Sequence, residues 1–247
     1  AVLLAVYRAL FEMGCRWVRP GKDGELLPKK DLDIENMNVK VQEKASYRHR
    51  AVCIEGGNDY QHVADMIDWL PKIGMNGYFV QFNVPFTFFD RWYSHRSNPN
   101  IPGYQLTQAD VAHMWSLLEE EIFKRGLMYH AMGHGWTCEP FGIEGGGWVK
   151  YEKEVAPEIK QYFAEVGGKR EIWSGPLTTN LCYSNPKVRD IMTDAMVQYC
   201  KDNPKVEYLH FWLADGHNNH CECPECQKMI PADFYVKTLN ELDEKLT

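Results

Sequence analysis

The spacing of apolar positions changes repeatedly along the chain, and the changes predict alternating helices and strands. Val2, Leu3, Val6, Leu10 and Phe11 form a helical stripe that Gly14 can end. Cys15 to Val18 reads as a short strand, Pro20 to Gly24 as a turn, and Leu32 to Val41 as a strand leading out of this small unit. A different rhythm starts near Lys44 and Ala45. Arg50 to Glu55 is an apolar strand, followed by a helix from Tyr60 to Ile73 with Val63, Met66, Ile67 and Leu70 on one face. Gly77 to Phe82 is the next strand, and a long aromatic loop runs from Asn83 to Tyr104. Thr107 can cap a helix from Gln108 to Arg125, and Gly126 stops it. Leu127 to Met132 is a third strand, Pro186 to Cys200 a helix, Val206 to Leu213 a fourth strand and Asp233 to Leu246 a closing helix.

Strands alternating with helices at this spacing imply parallel strands joined by crossover helices. Loops after the strands are long and rich in polar and aromatic residues, whereas the connections before them are short, as at Gly126 or Asn203-Pro204-Lys205. That asymmetry predicts an α/β fold, a partial (β/α)8 TIM barrel carrying its site at the strand C-termini. Its first four βα units would occupy residues 45–247, after the C-terminal part of a small α+β domain over residues 1–44. A doubly wound sheet is the alternative, but Glu55-Gly56-Gly57-Asn58 lacks the dinucleotide-binding spacing. Ala1 to Val6 reads as a helix cut mid-way, and since four βα units make half a barrel the remaining half is expected beyond Thr247.

Composition narrows the function classes. A hydrophobic content of 45% supports a substantial core. The net charge of -7, with no basic stripe, argues against nucleic acid as a partner. No run reaches the roughly 18 apolar residues of a membrane span. Eight Trp residues serve either a large core or the stacking of sugar rings.

The strand ends supply the chemistry. Glu55 follows the first strand, Gln81 the second, and His130, His134, Trp136 and Glu139 the third. Trp212, Asp215 and Asn218 follow the fourth. Acids for proton transfer, amides and imidazoles for hydroxyls, and indoles for stacking together make the composition of a sugar site. Asp215 is the favoured catalytic group, with Glu55 and Glu139 behind it; His130, His134, Trp136, Trp212, Asn218 and Gln81 are the substrate-binding candidates. Each also has a plainer reading. Glu55 can serve as a helix N-terminal anion or a rim ion pair, and a histidine in a strand can simply be a satisfied core residue. Asp215 precedes Gly216, where the chain must turn, and packing rarely needs a carboxylate there.

Cys221, Cys223 and Cys226 form a C-x-C-x-x-C cluster. Three thiols that close can bind one metal, with His217, His220, Cys138 or Cys182 as the fourth ligand, and sulfur-rich tetrahedral coordination suits structural zinc. A local disulfide with one free thiol is the alternative. Either would pin the Asp215 loop, since Gly216 to His220 offers no apolar anchor. No organic cofactor is expected.

The stretch Arg48 to Glu55, the phrase from Asp65 to Asn76, His130-Ala-Met-Gly-His-Gly-Trp136 and the run from Ala214 to Cys226 together resemble the bacterial domain-of-unknown-function family 4838. That family is similar in layout to glycoside hydrolase families 20 and 67, in which a small α+β domain precedes a catalytic barrel. Tyr7 to Trp17, with the turn from Pro20 to Pro28, resembles the end of such a domain. The resemblance implies a glycoside hydrolase-like protein acting on an oligosaccharide or polysaccharide, periplasmic or secreted. Family 20 places adjacent Asp and Glu after the fourth strand, the first to position an acetamido group and the second as general acid. Asp215 fits the first position, but Gly216 stands at the second. Family 67 uses a single acid there, which Asp215 can supply. Two rival readings remain: a non-catalytic carbohydrate-binding protein on a hydrolase-type barrel, and a metal-dependent hydrolase, against which three thiols argue because catalytic zinc needs an open position.

Overall fold

The computed structural model describes residues 2–29, 33 and 35–247. Helix α1 (Val2–Glu12) leads into strands β1 (Arg16–Trp17) and β2 (Glu25–Leu26), which pair antiparallel, Arg16 opposite Leu26. A four-stranded sheet follows, in the order β3 (Ala51–Cys53), β4 (Gly77–Val80), β5 (Met128–Ala131) and β6 (Tyr208–Leu209). Between these strands come α2 (Tyr60–Trp69), α3 (Phe86–Tyr93), α4 (Gln108–Lys124), α5 (Pro157–Lys160) and α6 (Pro186–Asp202), and α7 (Pro231–Leu246) closes the chain. β3 and β4 are parallel, with Ala51 opposite Gly77 and Cys53 opposite Phe79. The later strands run the same way. Met128 N–H donates to Asn76 O and Gly133 N–H to Gln81 O, and His210 and Trp212 N–H donate to Ala131 and Gly133 O, so partners advance together along both chains. The result is a mixed α/β fold whose parallel four-stranded sheet is consistent with a partial barrel. No helix among the described residues is long and apolar enough to cross a membrane.

The chain divides into two compact units, Ala1–Val80 with Val84–His130, and Gln81–Asn83 with Ala131–Thr247. In the first, Asp59 caps α2 by accepting from His62 N–H, and Thr107 with Asp110 closes a capping box on α4. Val63 and Ile67 are the buried face of α2; Val111, Trp115, Leu118 and Ile122 are that of α4. β5 alternates across the sheet. Tyr129 faces α4, its hydroxyl 2.8 Å from Trp115 Nε1 and 2.6 Å from Glu119 Oε1, while His130 faces the other way, toward Phe79 and His49. In the second unit Asn185 caps α6, α6 lies against α7, and Val188, Met192 and Met196 of α6 and Phe234, Thr238 and Leu242 of α7 are buried. Arg189 reinforces the pair, with Nε 2.8 Å from Glu241 Oε2 and Nη2 3.0 Å from Oε1.

Departures from the expected elements have local causes. Pro71 ends α2 early and leaves a 3-10 turn from Leu70 to Ile73, which Gly74 closes at φ 84°. The stretch expected as a loop after Asn83 contains α3, whose buried Phe88 and Phe89 give it a core to pack on. The strand expected from Leu32 to Val41 is absent from Asp33 and residues 35–41; Leu32 and Ile34 lie outside the described residues. β6 is shorter than the apolar run from Val206 to Leu213, although His210 and Trp212 N–H still donate to Ala131 and Gly133 O beyond it.

The face assignment of α4 is testable. Replacing the fully buried Leu118 with Ala should cost roughly 2–5 kcal/mol in urea unfolding. Leu117→Ala, at a position 39% exposed, should stay within about 0.5 kcal/mol. Equal losses would contradict the assignment.

Candidate functional site

The candidate site lies in the second unit and is assembled by backbone pairing just beyond the strand ends. Gln81 O accepts from Gly133 N–H at 3.0 Å and His134 N–H at 2.9 Å, and Gly133 O accepts from Trp212 N–H at 3.0 Å. These bonds bring together Phe82, His134 and Trp212. Glycine is needed at 133, since a Cβ there would stand 2.6 Å from the Trp212 ring. Phe82 stacks on His134 at 5.2 Å between ring centres. Trp212 meets the imidazole edge-on at 4.7 Å, and Trp148 meets His134 at 5.3 Å and Phe82 at 5.5 Å.

Asp215 stands beside this aromatic group. Trp148 Nε1 donates to its Oδ2 at 2.5 Å, and His134 Nε2 lies 3.8 Å from the same oxygen. Its Oδ1 makes no hydrogen bond to a described residue, and the side chain is 43% exposed. Phe82 and His134 are buried, so the arrangement offers an incoming molecule one carboxylate oxygen together with the exposed part of the Trp148 and Trp212 rings, a geometry suited to hydrogen bonding or proton exchange with a ligand packed on those indoles.

Buried asparagines hold the Asp215 loop. Asn219 Nδ2 donates to Asp215 O at 2.8 Å and to Thr178 O at 2.7 Å, and its Oδ1 accepts from Asn180 Nδ2 at 3.0 Å. Asn180 Oδ1 accepts from Tyr183 Oη at 2.7 Å and from Ala214 N–H at 3.3 Å, while Asp215 N–H donates to Leu177 O at 2.8 Å. Gly216 at φ 100° and Asn218 at φ 55° make the turn between.

Behind the loop, Cys182, Cys221, Cys223 and Cys226 are buried with all four sulfurs within 4.8 Å of one another, close enough to share one ion. None is in a disulfide. The Cys182 thiol pKa is pulled well down, chiefly by hydrogen bonding from Cys221, with Ser184 and Arg170 adding to it. Burial works against the Arg170 charge, yet its contact with Cys182 raises its pKa overall.

The structure therefore gathers His134, Trp212 and Asp215, with Gln81 adjoining through its backbone. The other candidates lie elsewhere. His130 is buried with its Nε2 3.4 Å from His49 Nδ1. Trp136 is 2% exposed and donates from Nε1 to Met132 O and His210 O. Glu55 is an exposed residue that accepts from Gly56 N–H and lies 3.9 Å from Arg91. Asn218 points from an exposed turn. Of the proposed fourth thiol partners Cys182 joins the cluster, whereas Cys138 donates to Gly135 O, and His217 and His220 are exposed. Glu139 keeps surface in solvent, but its carboxyl lies against the backbone of Gly135 and Gly145, and lost hydration raises its pKa. Sequence reasoning missed Phe82, Trp148 and Asn180 as site residues. Trp148 had one signal, an aromatic closing the flexible run Gly145-Gly146-Gly147.

The model of the family described as domain of unknown function (DUF4838) matches residues 20–233. No curated protein matches the chain significantly.

The Glu139 environment makes a pH prediction. Its folded pKa lies above the ordinary 4.5, so the folded state disfavours the ionised form. Stability it contributes below about pH 4.5 is lost as pH rises through the folded value. Urea unfolding of Glu139→Gln should match the parent in acid and exceed it near neutrality. A difference independent of pH would contradict this.

Proposed function

This chain belongs to the DUF4838 family, and we propose that it is a glycoside hydrolase-like protein in which Asp215 carries the acid/base role. The observation that supports this most is the half-exposed carboxylate held by Trp148 and 3.8 Å from His134, with the indoles of Trp148 and Trp212, both against that imidazole, partly open to solvent. A pyranose has an apolar face that packs on such rings and hydroxyls that need hydrogen-bonding partners. In this reading Oδ1 of Asp215 meets the glycosidic oxygen or a ring hydroxyl, and the indole of Trp148 fixes the other oxygen. Glu139, which stands outside this group, is the fallback acid, its pKa raised by burial. The same reading keeps structural zinc at the four thiols as the inorganic cofactor.

A second reading, carbohydrate binding without hydrolysis, draws support from Gly216. Its φ of 100° is left-handed backbone that a glutamate would adopt only under strain, so the local chain is shaped for glycine where family 20 has its general acid.

A glycan panel separates the two. Hydrolysis predicts release of reducing sugar from at least one substrate, and Asp215→Asn should lower kcat by about 10²–10⁴-fold with circular dichroism unchanged. Unaltered turnover in Asp215→Asn would remove Asp215 from the role. Glycan affinity with no sugar released by the parent protein would favour the binding reading.

A further inference from the structure

We propose that Cys182, Cys221, Cys223 and Cys226 form a closed zinc site that clamps the segment carrying Asp215 to the segment from Thr178 to Ser184. The inference rests on the Asp215 reading only for its consequence at the rim. The metal site rests on sulfur geometry.

Four sulfurs at about 2.3 Å from one ion, tetrahedrally arranged, lie roughly 3.8 Å from each other. Cys182 Sγ is 3.7 Å from Cys223 Sγ and 3.8 Å from Cys226 Sγ. A disulfide would need about 2.05 Å, so these are thiol pairs at the spacing a shared ion imposes. The surroundings suit thiolates. Glu165 N–H donates to Cys221 Sγ at 3.3 Å, Ser184 Oγ lies 3.1 Å from Cys226 Sγ and 3.4 Å from Cys182 Sγ, and the Arg170 guanidinium sits beside Cys182 and Cys223. Zinc with four thiolates carries two net negative charges, and Arg170 interacts with this group while also pairing with Glu165 at 3.3 Å.

The ligands come from two stretches of chain. Cys182 follows Asn180 by two residues, and Cys221 follows Asn219 by two, so the ion sits next to the Asn180–Asn219 hydrogen bond. Asp215 lies at the far end of the same ladder, through Asn219 Nδ2 to Asp215 O and Asp215 N–H to Leu177 O. All four positions are filled by sulfur, which leaves no open position for a substrate; the ion's role is to hold Asp215 at its distance from Trp148 and His134.

Metal analysis and zinc X-ray absorption of the purified chain should give one zinc per chain with four sulfur ligands near 2.3 Å. Cys182→Ser should lose zinc, His217→Ala, His220→Ala and Cys138→Ser should retain it, and Arg170→Ala should weaken zinc binding about 10–100-fold. After chelation, hydrogen exchange should accelerate over residues 178–184 and 215–226 while α2 and α4 stay protected, and added zinc should reverse the change. Absence of zinc after growth and reconstitution in zinc, or fewer than four sulfurs around it, would overturn the site. Unchanged exchange at residues 215–226 on chelation, or loss of protection throughout the chain, would overturn the clamp. A zinc-replete clamp in a protein that neither binds nor cleaves glycans would reject the hydrolase reading and leave the metal site standing.

Discussion

Between Gly216 and His220 the Asp215 loop contains no apolar side chain, so polar bonds must fix it to the fold. Asn219 is the centre of that constraint. It is 5% exposed, and its amide spends both ends on the neighbouring segment and on Asp215 itself. Each such bond nets only about 0.5–1.5 kcal/mol, but a buried partner left unsatisfied costs about 1–3 kcal/mol, which makes the paired arrangement hard to leave. Through it the backbone of Asp215 is fixed where the side chain meets Trp148, and the catalytic role proposed for this carboxylate depends on placement to within about an ångström.

The same economy appears in the aromatic group. Gly133 lets the Trp212 ring lie directly on the backbone after β5, and that closeness brings the indole edge to 4.7 Å from His134. A side chain at 133 would displace the ring that the site is built on. Gly216 has a related effect: its left-handed backbone lets the chain turn sharply after Asp215. The proposed hydrolase therefore takes no carboxylate from position 216, and the acid/base role rests on Asp215 as proposed.

Much of the architecture was legible in the sequence because it rests on periodicity. The stripe Val111, Trp115, Leu118 and Ile122 and the cap at Thr107 specify α4 locally, and the short connections before strands match parallel pairing. Asp215, His134 and Trp212 were legible as strand-end residues of suitable chemistry. His130 and Trp136 look identical by that rule, yet strand alternation and the indole bonds to Met132 O and His210 O bury them in other surroundings. Trp148 was hidden as a site partner because it approaches across 67 residues of chain, a separation that no local pattern encodes, and for the same reason Cys182, 41 residues from Cys223, stood only as one of four possible fourth ligands. Asn219 stood with Asn218 among the polar residues after the fourth strand, and only the fold reveals which amide is buried.

The most direct test of the Asp215-centred sugar site is the indole N–H signals of the chain in a proton–nitrogen correlation spectrum during titration with oligosaccharides. The account predicts that the Trp148 signal, and with it Trp212, shifts on binding, while the signal of Trp92, exposed in the other unit, stays fixed. Shifts confined to Trp92 or to other indoles, with Trp148 unmoved by a glycan that binds, would contradict it.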